Sequence, residues 1–111
     1  MGRTDLHYAA ANGDLPMVES LIAAGADVSL ADDNQWTPLH FAAQANSESV
    51  AAALLKAGAS VDPLDSHGNS PLFRAVFNSR GDGALIGLLR QHGANPDLAN
   101  LHGVSPLALA R

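Results

Sequence analysis

A seven-residue segment recurs four times along the chain, and its spacing constrains the fold more than any other feature. The segments open with a hydroxyl side chain at Thr4, Thr37, Ser70 and Ser105. A second marker, a Gly-Ala pair, begins at Gly25, Gly58 and Gly93. In both markers the earlier copies are 33 residues apart and the last copy follows after 35. Two markers that share a period and the same two-residue surplus indicate an internal repeat.

Each repeat carries the signals of two short helices. The Ser or Thr that opens a segment can cap a first helix, and in the last three segments a proline follows at the first helical position. A polar break then precedes a second helix, whose apolar residues recur at helical spacing and which ends at the glycine of the second marker. The residues predicted to form the buried faces of the second helices are Met17, Val18, Leu21, Ile22, Val50, Leu54, Leu55, Leu85, Ile86 and Leu89. Polar, turn-rich residues such as 62–69 predict an extended hairpin-like loop between units.

These segments resemble the ankyrin repeat. Residues 37–43 read Thr-Pro-Leu-His-Phe-Ala-Ala and residues 25–28 read Gly-Ala-Asp-Val, which match two signatures of that family. The resemblance covers essentially the whole chain and implies one domain, residues 1–111, with units at about 2–34, 35–67 and 68–102 and a partial unit at 103–111. It implies an all-α repeat solenoid of stacked antiparallel helix pairs with projecting β-hairpin-like loops. It also implies protein binding through the concave side, formed by the hairpin tips and the exposed part of the first helices.

The chain departs from the family pattern at several positions. Gln35 stands where the other units have Gly2, Gly68 and Gly103, and Phe73 and Ala108 replace the histidine of the segment. The structural role of that histidine is therefore predicted only at His7 and His40. The two-residue insertion falls within residues 78–83, which we interpret as an elongated turn in which Asp82 caps the next helix. The fourth unit reaches Arg111 before a second helix could form, so Leu107 and Leu109 are expected to lie exposed. The face of the third unit formed by Leu85, Leu88 and Leu89 is expected to lose part of its cover. Either end-to-end self-association through this face or loose ordering of residues 99–111 would relieve that exposure.

Composition and charge argue against several other functions. The chain has no cysteine and no nucleophile or phosphate-binding motif, so we predict a non-enzymatic protein without a cofactor. No two of its five histidines stand at the spacing of a helical metal site, and no metal is expected. A net charge of −5 with only six Lys and Arg disfavours nucleic acid and favours one protein partner with a neutral or basic surface. No apolar run approaches the length that crosses a bilayer, so we expect no membrane association. The missing cysteine and the lack of an apolar segment at the N-terminus favour a cytoplasmic location.

Trp36 is the candidate centre of a binding surface, because it lies in a hairpin position that the family presents to solvent and because Trp is enriched in binding hot spots. The alternative is that its ring folds against the adjacent hairpin or Pro38. The neighbouring Asp32 and Asp33 are either a solvated tip or acceptors for a partner's Lys and Arg, and His67 and His102 are partner contacts or solvated tips. The candidate partner-binding residues are Asp32, Asp33, Asn34, Trp36, Gln44, Ser66, His67, Asn69, Phe77, Asn78, Leu101 and His102.

Two functions remain open at this stage. The first is an adaptor or inhibitor-like module that holds one partner, and by analogy with short Ala-rich, Cys-free stacks it could be a bacterial immunity or regulatory protein. The second is a structural spacer, or a fragment of a longer ankyrin scaffold. The continuation of the natural gene would discriminate between them.

Overall fold

Short helices stack in two layers, and each repeat contributes one helix to each layer. The computed structural model describes residues 2–78 and 83–110, which contain seven α-helices and no strand. These helices are α1 (Asp5–Ala11), α2 (Leu15–Ala23), α3 (Pro38–Gln44), α4 (Glu48–Lys56), α5 (Pro71–Asn78), α6 (Ala84–Gln91) and α7 (Pro106–Ala110). The first helices of the units pack side by side as α1, α3, α5 and α7, and the second helices pack as α2, α4 and α6. The stack measures 39 × 27 × 21 Å, and the predicted all-α repeat solenoid is confirmed.

The predicted caps start the first helices. The hydroxyl oxygens of Thr37, Ser70 and Ser105 accept hydrogen bonds from the amides of His40, Phe73 and Ala108 at 3.4, 3.2 and 3.1 Å. Pro38 follows Thr37 at the start of α3 and needs no acceptor at that position. Each unit therefore begins its first helix at the residue that the repeat pattern indicates.

The first-helix layer forms the densest part of the core. In α3 every residue from Pro38 to Ala43 is buried, because this helix packs against α1, α5 and α4. The small side chains of Ala42 and Ala43 are fully covered and let the neighbouring helices approach closely. Only Gln44, at the end of the helix, is exposed.

The second-helix layer is buried on one side, and one of its predicted core residues is not in the core. Met17 is 47% exposed, whereas Val50, the equivalent residue 33 positions later, is 0% exposed. The prediction for Met17 was wrong because α2 has one second-helix neighbour, α4, whereas α4 lies between α2 and α6. Leu85 and Leu89 of α6 are almost completely buried, so the loss of cover expected near the last unit does not reach them.

The last unit is attached through α5. Helix α7 packs on α5, and the amide of Leu107 donates a hydrogen bond to the carbonyl of Pro96 at 2.9 Å. Leu107 is exposed, as predicted, whereas Leu109 is partly covered. Residues 79–82, which contain most of the insertion and the predicted cap at Asp82, lie outside the described residues, as does Arg111. Self-association through this end stays a prediction.

Left-handed backbone marks the same two places in each repeat. Gly25, Gly58 and Gly93 end the second helices with φ of 92°, 96° and 91°, as the sequence predicts. In the hairpins, Gly2, Gly68 and Gly103 have φ of 79°, 78° and 76°. Gln35 takes the equivalent position with φ 64°. The backbone therefore keeps its conformation there despite a side chain that disfavours it.

Candidate functional site

One side chain closes each hairpin from below. Asp32 Oδ1 accepts hydrogen bonds from the amides of Asn34 and Trp36, both at 2.9 Å. Asp65 Oδ1 binds the amides two and four residues later in the same way, and so does Asn100 Oδ1. These three residues are spaced 33 and 35 apart, like the repeat itself. The tips of the hairpins are therefore held by a repeated structural device.

Asp32 belongs to that device and not to the exposed surface, which corrects its assignment as an acceptor for a partner's cation. Its side chain is 1% exposed, and Oδ2 accepts a hydrogen bond from Nε of Arg3 at 3.1 Å. Burial raises the pKa of the carboxyl, but the amide of Trp36, the guanidinium of Arg3 and the amide of Asn34 together outweigh burial and hold the pKa below its usual value. The cation that pairs with Asp32 is therefore Arg3 of the same chain.

The structure also corrects the prediction that Asn69 contacts a partner, because this side chain is buried and joins two hairpins. The residue is 7% exposed, and its Oδ1 accepts a hydrogen bond from Nδ2 of Asn100 at 2.8 Å. Its carbonyl oxygen accepts a hydrogen bond from the amide of Asp65 at 3.0 Å and another from Nε2 of His40 at 2.8 Å. Its polar atoms are therefore engaged inside the stack.

His7 and His40 tie each first helix to the next hairpin, which confirms their predicted structural role. Nδ1 of His40 accepts the amide of Thr37 at 3.1 Å, so the ring proton is on Nε2, which donates to the carbonyl of Asn69 at 2.8 Å. His7 makes the same pair of contacts, to the amide of Thr4 at 2.9 Å and to the carbonyl of Trp36 at 3.1 Å. Burial lowers the pKa of His40, although the Asn69 carbonyl and the Asp65 charge act in the opposite direction.

Trp36 is half-buried within a row of stacked side chains. Its ring lies 4.8 Å from the ring of Phe41, and the guanidinium of Arg74 lies 4.8 Å above its centroid. On the other side the guanidinium of Arg3 lies 4.9 Å above the ring of Phe41. We call Arg3, Phe41, Trp36 and Arg74 the arginine–aromatic row. The ring therefore packs on His40 and Phe41 of α3 and borders a surface pocket, and a partner contact at Trp36 stays a prediction.

That pocket has a volume of about 310 Å³ and combines hairpin with helix. It is lined by Arg3, Asn34, Trp36, Phe41, Ser66, His67 and Arg74. We call these seven residues the hairpin–helix face. Four of the predicted site residues thus come together, and Asp33 is exposed beside Asn34.

The remaining predicted site residues lie elsewhere on the surface. Nδ2 of Asn78 donates a hydrogen bond to Oε1 of Gln44 at 3.1 Å, which links α5 to α3 at the ends of the two helices. Phe77 of α5 is exposed. Leu101 and His102 are exposed on the last hairpin, where the amide of Leu101 donates to the carbonyl of His67 at 3.0 Å.

Sequence reasoning missed three members of the row, Arg3, Phe41 and Arg74. A signal for them existed, because Arg3 precedes Trp36 by one period and Phe41 precedes Arg74 by one period. The repeat alignment therefore places the four residues in two columns. It does not show that the columns face each other across adjacent units, because that contact depends on how the units stack.

The described residues provide neither a metal centre nor a membrane segment. No group of three His, Asp or Glu side chains in ranges 2–78 and 83–110 is arranged to hold an ion. Among the same residues, no helix is long and apolar enough to cross a bilayer.

The hairpin–helix face consists of aromatic rings, guanidinium groups and neutral polar side chains, a composition typical of protein recognition.

Fold and face together define a stacked helix-pair repeat protein that presents hairpin tips beside its first helices. A family model described as ankyrin repeats (three copies) matches residues 6–100, and the chain belongs to the ankyrin repeat family. The crystal structure of the human ASB11 ankyrin repeat domain superposes with a TM-score of 0.88 at 37% sequence identity. The match covers 97% of this chain and 48% of that domain, so this chain spans about half its length. Among the curated proteins, none matches. Ankyrin repeats are a general protein–protein interaction module.

Proposed function

We propose that this chain binds a protein partner through the hairpin–helix face, with Trp36 at its centre. The observation that carries the proposal is the pocket in which two aromatic rings and two arginines meet. Trp, Tyr and Arg are the residue types most enriched in binding hot spots. The aromatic side chains offer large contact areas at low entropic cost, and Arg supplies several directional donors. Four other surface pockets of the described residues do not combine two aromatic rings with two arginines.

Charge supports a specific approach of the partner. The chain carries −5, and the exposed carboxylate of Asp33 stands at a hairpin tip. A partner with a basic surface is attracted over a distance of about 10 Å at 0.1 M salt. Its association rate should therefore fall as salt rises to about 0.5 M, whereas the short-range contacts in the pocket are less sensitive.

The experiment compares variants of this face with variants of the opposite layer. Trp36→Ala should weaken the binding of a captured partner by about 2 kcal/mol, which corresponds to a roughly thirtyfold increase in the dissociation constant. Met17→Ala is the matched control, because it also shortens a half-exposed apolar side chain but lies in α2. Since the Trp36 ring also packs on Phe41, His67→Glu provides a second variant that changes an exposed side chain of the face. Equal capture by all four proteins would refute the proposed surface.

The finer role that we propose is that of an adaptor or inhibitor, of the kind found in bacterial immunity or regulatory proteins. It rests on analogy with short stacks of this composition. An inhibitor should abolish the activity of its partner at saturation, and an adaptor should leave that activity unchanged while bringing a second protein to it. Either result can be measured once the partner is captured.

The alternative, a segment of a longer scaffold, is favoured by the coverage of the ASB11 domain, of which this chain matches 48%. In a scaffold the units mainly set the spacing between other parts. A scaffold segment should show no partner that depends on Trp36. The same variants therefore discriminate the two functions.

A further inference from the structure

The two arginines of the row each have one oxygen of an internal carboxylate as their partner. Oδ1 of Asp32 and Oδ1 of Asp65 are each occupied by two backbone amides. Among the described residues, the guanidinium of Arg3 donates to Oδ2 of Asp32 at 3.1 Å, and that of Arg74 lies 3.6 Å from Oδ2 of Asp65. A guanidinium has five N–H donors, and one carboxylate oxygen cannot satisfy them. Both arginines therefore keep donors for a further acceptor.

The aromatic rings hold these donors in position. Arg3 lies over Phe41 and Arg74 lies over Trp36, and the two rings are in contact at 4.8 Å. A guanidinium that rests on a ring face is oriented by the cation–π attraction. Less side-chain entropy is then lost when it binds a ligand, which favours affinity.

The pocket is lined by two guanidinium groups on a protein that is acidic as a whole. Two of its seven lining residues are arginines and none is a carboxylate, although the whole chain carries −5. Two nearby carboxylates, Asp32 and Asp65, lie beneath the surface with side chains that are 1% and 0% exposed. Asp33 is exposed beside Asn34 but does not line the pocket. Asn34, Ser66 and His67 at the rim add neutral polar groups. An anionic group that enters the pocket thus meets two guanidinium groups and no carboxylate among the lining residues.

We infer that the pocket between Arg3 and Arg74 binds the carboxylate of an Asp or Glu side chain from the protein partner. The inference rests on the proposed function and names the group recognised at its centre. Planar guanidinium groups suit carboxylates because they donate two parallel hydrogen bonds. A partner whose wider surface is neutral or basic, with one acidic residue as its anchor, satisfies both the overall charge and the local pocket.

The repeat itself supplies a variant that removes the charge without removing the hairpin. Asn100 occupies the position of Asp65 in the last hairpin and accepts the same two amides, at 2.9 and 3.0 Å. Asp65→Asn should therefore fold normally. The double variant D65N/R74Q removes one positive and one negative charge, so it changes the pocket but leaves the net charge unaltered.

The probe is a randomised peptide library, selected on the wild-type chain and counter-selected on Trp36→Ala. Peptides that enrich should carry Asp or Glu at one fixed position and should bind D65N/R74Q about tenfold more weakly. D65N alone frees Arg74 from its internal partner and should bind the same peptides about threefold more tightly. The control Glu19→Gln makes the same change in net charge on exposed α2 and should bind as the wild type does.

The outcomes separate the two proposals. Enriched peptides that depend on Trp36 but lack an acidic position, or that bind D65N/R74Q unchanged, would overturn the carboxylate pocket and leave the proposed face intact. If no peptide prefers the wild type to Trp36→Ala, the face and the pocket both fail. Circular dichroism of each variant shows that the comparison is made between folded chains.

Discussion

The junction between the second and third units and the junction between the third and fourth share a backbone but differ in side chains. In the former, His40 donates to the carbonyl of Asn69 at 2.8 Å. In the latter, Phe73 occupies the histidine position, and the equivalent carbonyl, that of Val104, accepts only the amide of Asn100 in the described part of the chain. Both hairpins nevertheless close in the same way, because Asp65 and Asn100 each bind two amides.

The comparison shows that fold and binding surface depend on different columns of the repeat. Hairpin closure requires only an oxygen acceptor, and Asp or Asn supplies it equally. The arginine–aromatic row requires particular residues, and in the last unit Leu109 stands at the position of Phe41 and Arg74, and Val104 at that of Trp36. The candidate site is therefore confined to the first three units.

The largest effect is expected from removing the histidine bridge. His40→Phe copies the side chain of the last junction into the middle one, and leaves the buried amide of Thr37 without its acceptor. We expect a loss of about 2 kcal/mol in the free energy of unfolding, measured by urea denaturation. His67→Phe is the control, since His67 is exposed at a hairpin tip. Equal stability of H40F and the wild type would show that the bridge does not hold the units together.

The reverse change should strengthen the last junction. Phe73→His places a ring donor near the carbonyl of Val104, by equivalence with His40 and Asn69. We expect the amides of residues 104–109 to exchange about fivefold more slowly with solvent, which corresponds to about 1 kcal/mol of local stability. Unchanged exchange in this segment, with α3 protected as in the wild type, would mean that its order does not depend on this contact.

The fold could be predicted from the sequence because its signals are local and repeated. Thr37, Pro38 and Gly58 each fix a helix end through their own chemistry, and the period then repeats the arrangement. Met17 was misplaced because its exposure depends on how many neighbours α2 has, which no local signal contains. Asp32 was misplaced because it was grouped with adjacent acidic residues instead of being aligned with Asp65 and Asn100.

The site was only partly predictable, for a related reason. Trp36 stood out by its residue type, and Asn34, Ser66 and His67 by their hairpin positions. The contacts of Arg3 with Phe41 and of Arg74 with Trp36 join residues of adjacent units. They depend on the distance and angle between units, which the period alone does not specify.

A smaller effect is expected at the hairpin of the second unit. Gln35 has φ 64° where three other units have glycine, so Gln35→Gly should relieve strain and stabilise the chain by about 0.5 kcal/mol, after the greater freedom of glycine in the unfolded chain is counted. Gly103→Ala is the opposite change at an equivalent position, where a Cβ would meet no atom within 4 Å. Thermal unfolding should rank Q35G above the wild type and G103A below it. The opposite ranking would contradict the claim that the backbone of Gln35 is strained.

The smallest effect is a pH dependence that belongs to the His40 bridge. Burial holds the pKa of His40 in the folded chain below the ordinary histidine value of about 6.5. The bridge therefore makes its full contribution to the free energy of unfolding above about pH 6.5. This contribution declines as the pH falls below about 6.5, because the unfolded chain then binds more protons than the folded chain. Urea denaturation at pH 7.5 and pH 6 should show a loss of stability in the wild type that is smaller in H40F. Identical losses would indicate that other groups account for it.

The central claim, that recognition uses the hairpin–helix face of the first three units, is tested most directly by hydrogen exchange of the bound chain. The ligand is the partner or the enriched peptide, and exchange is compared with that of the free chain. The account predicts slower exchange at the hairpin amides of residues 33–36 and 66–68, with no change in α2 and α4. Slower exchange confined to α2 and α4, or to residues 101–108, would contradict it.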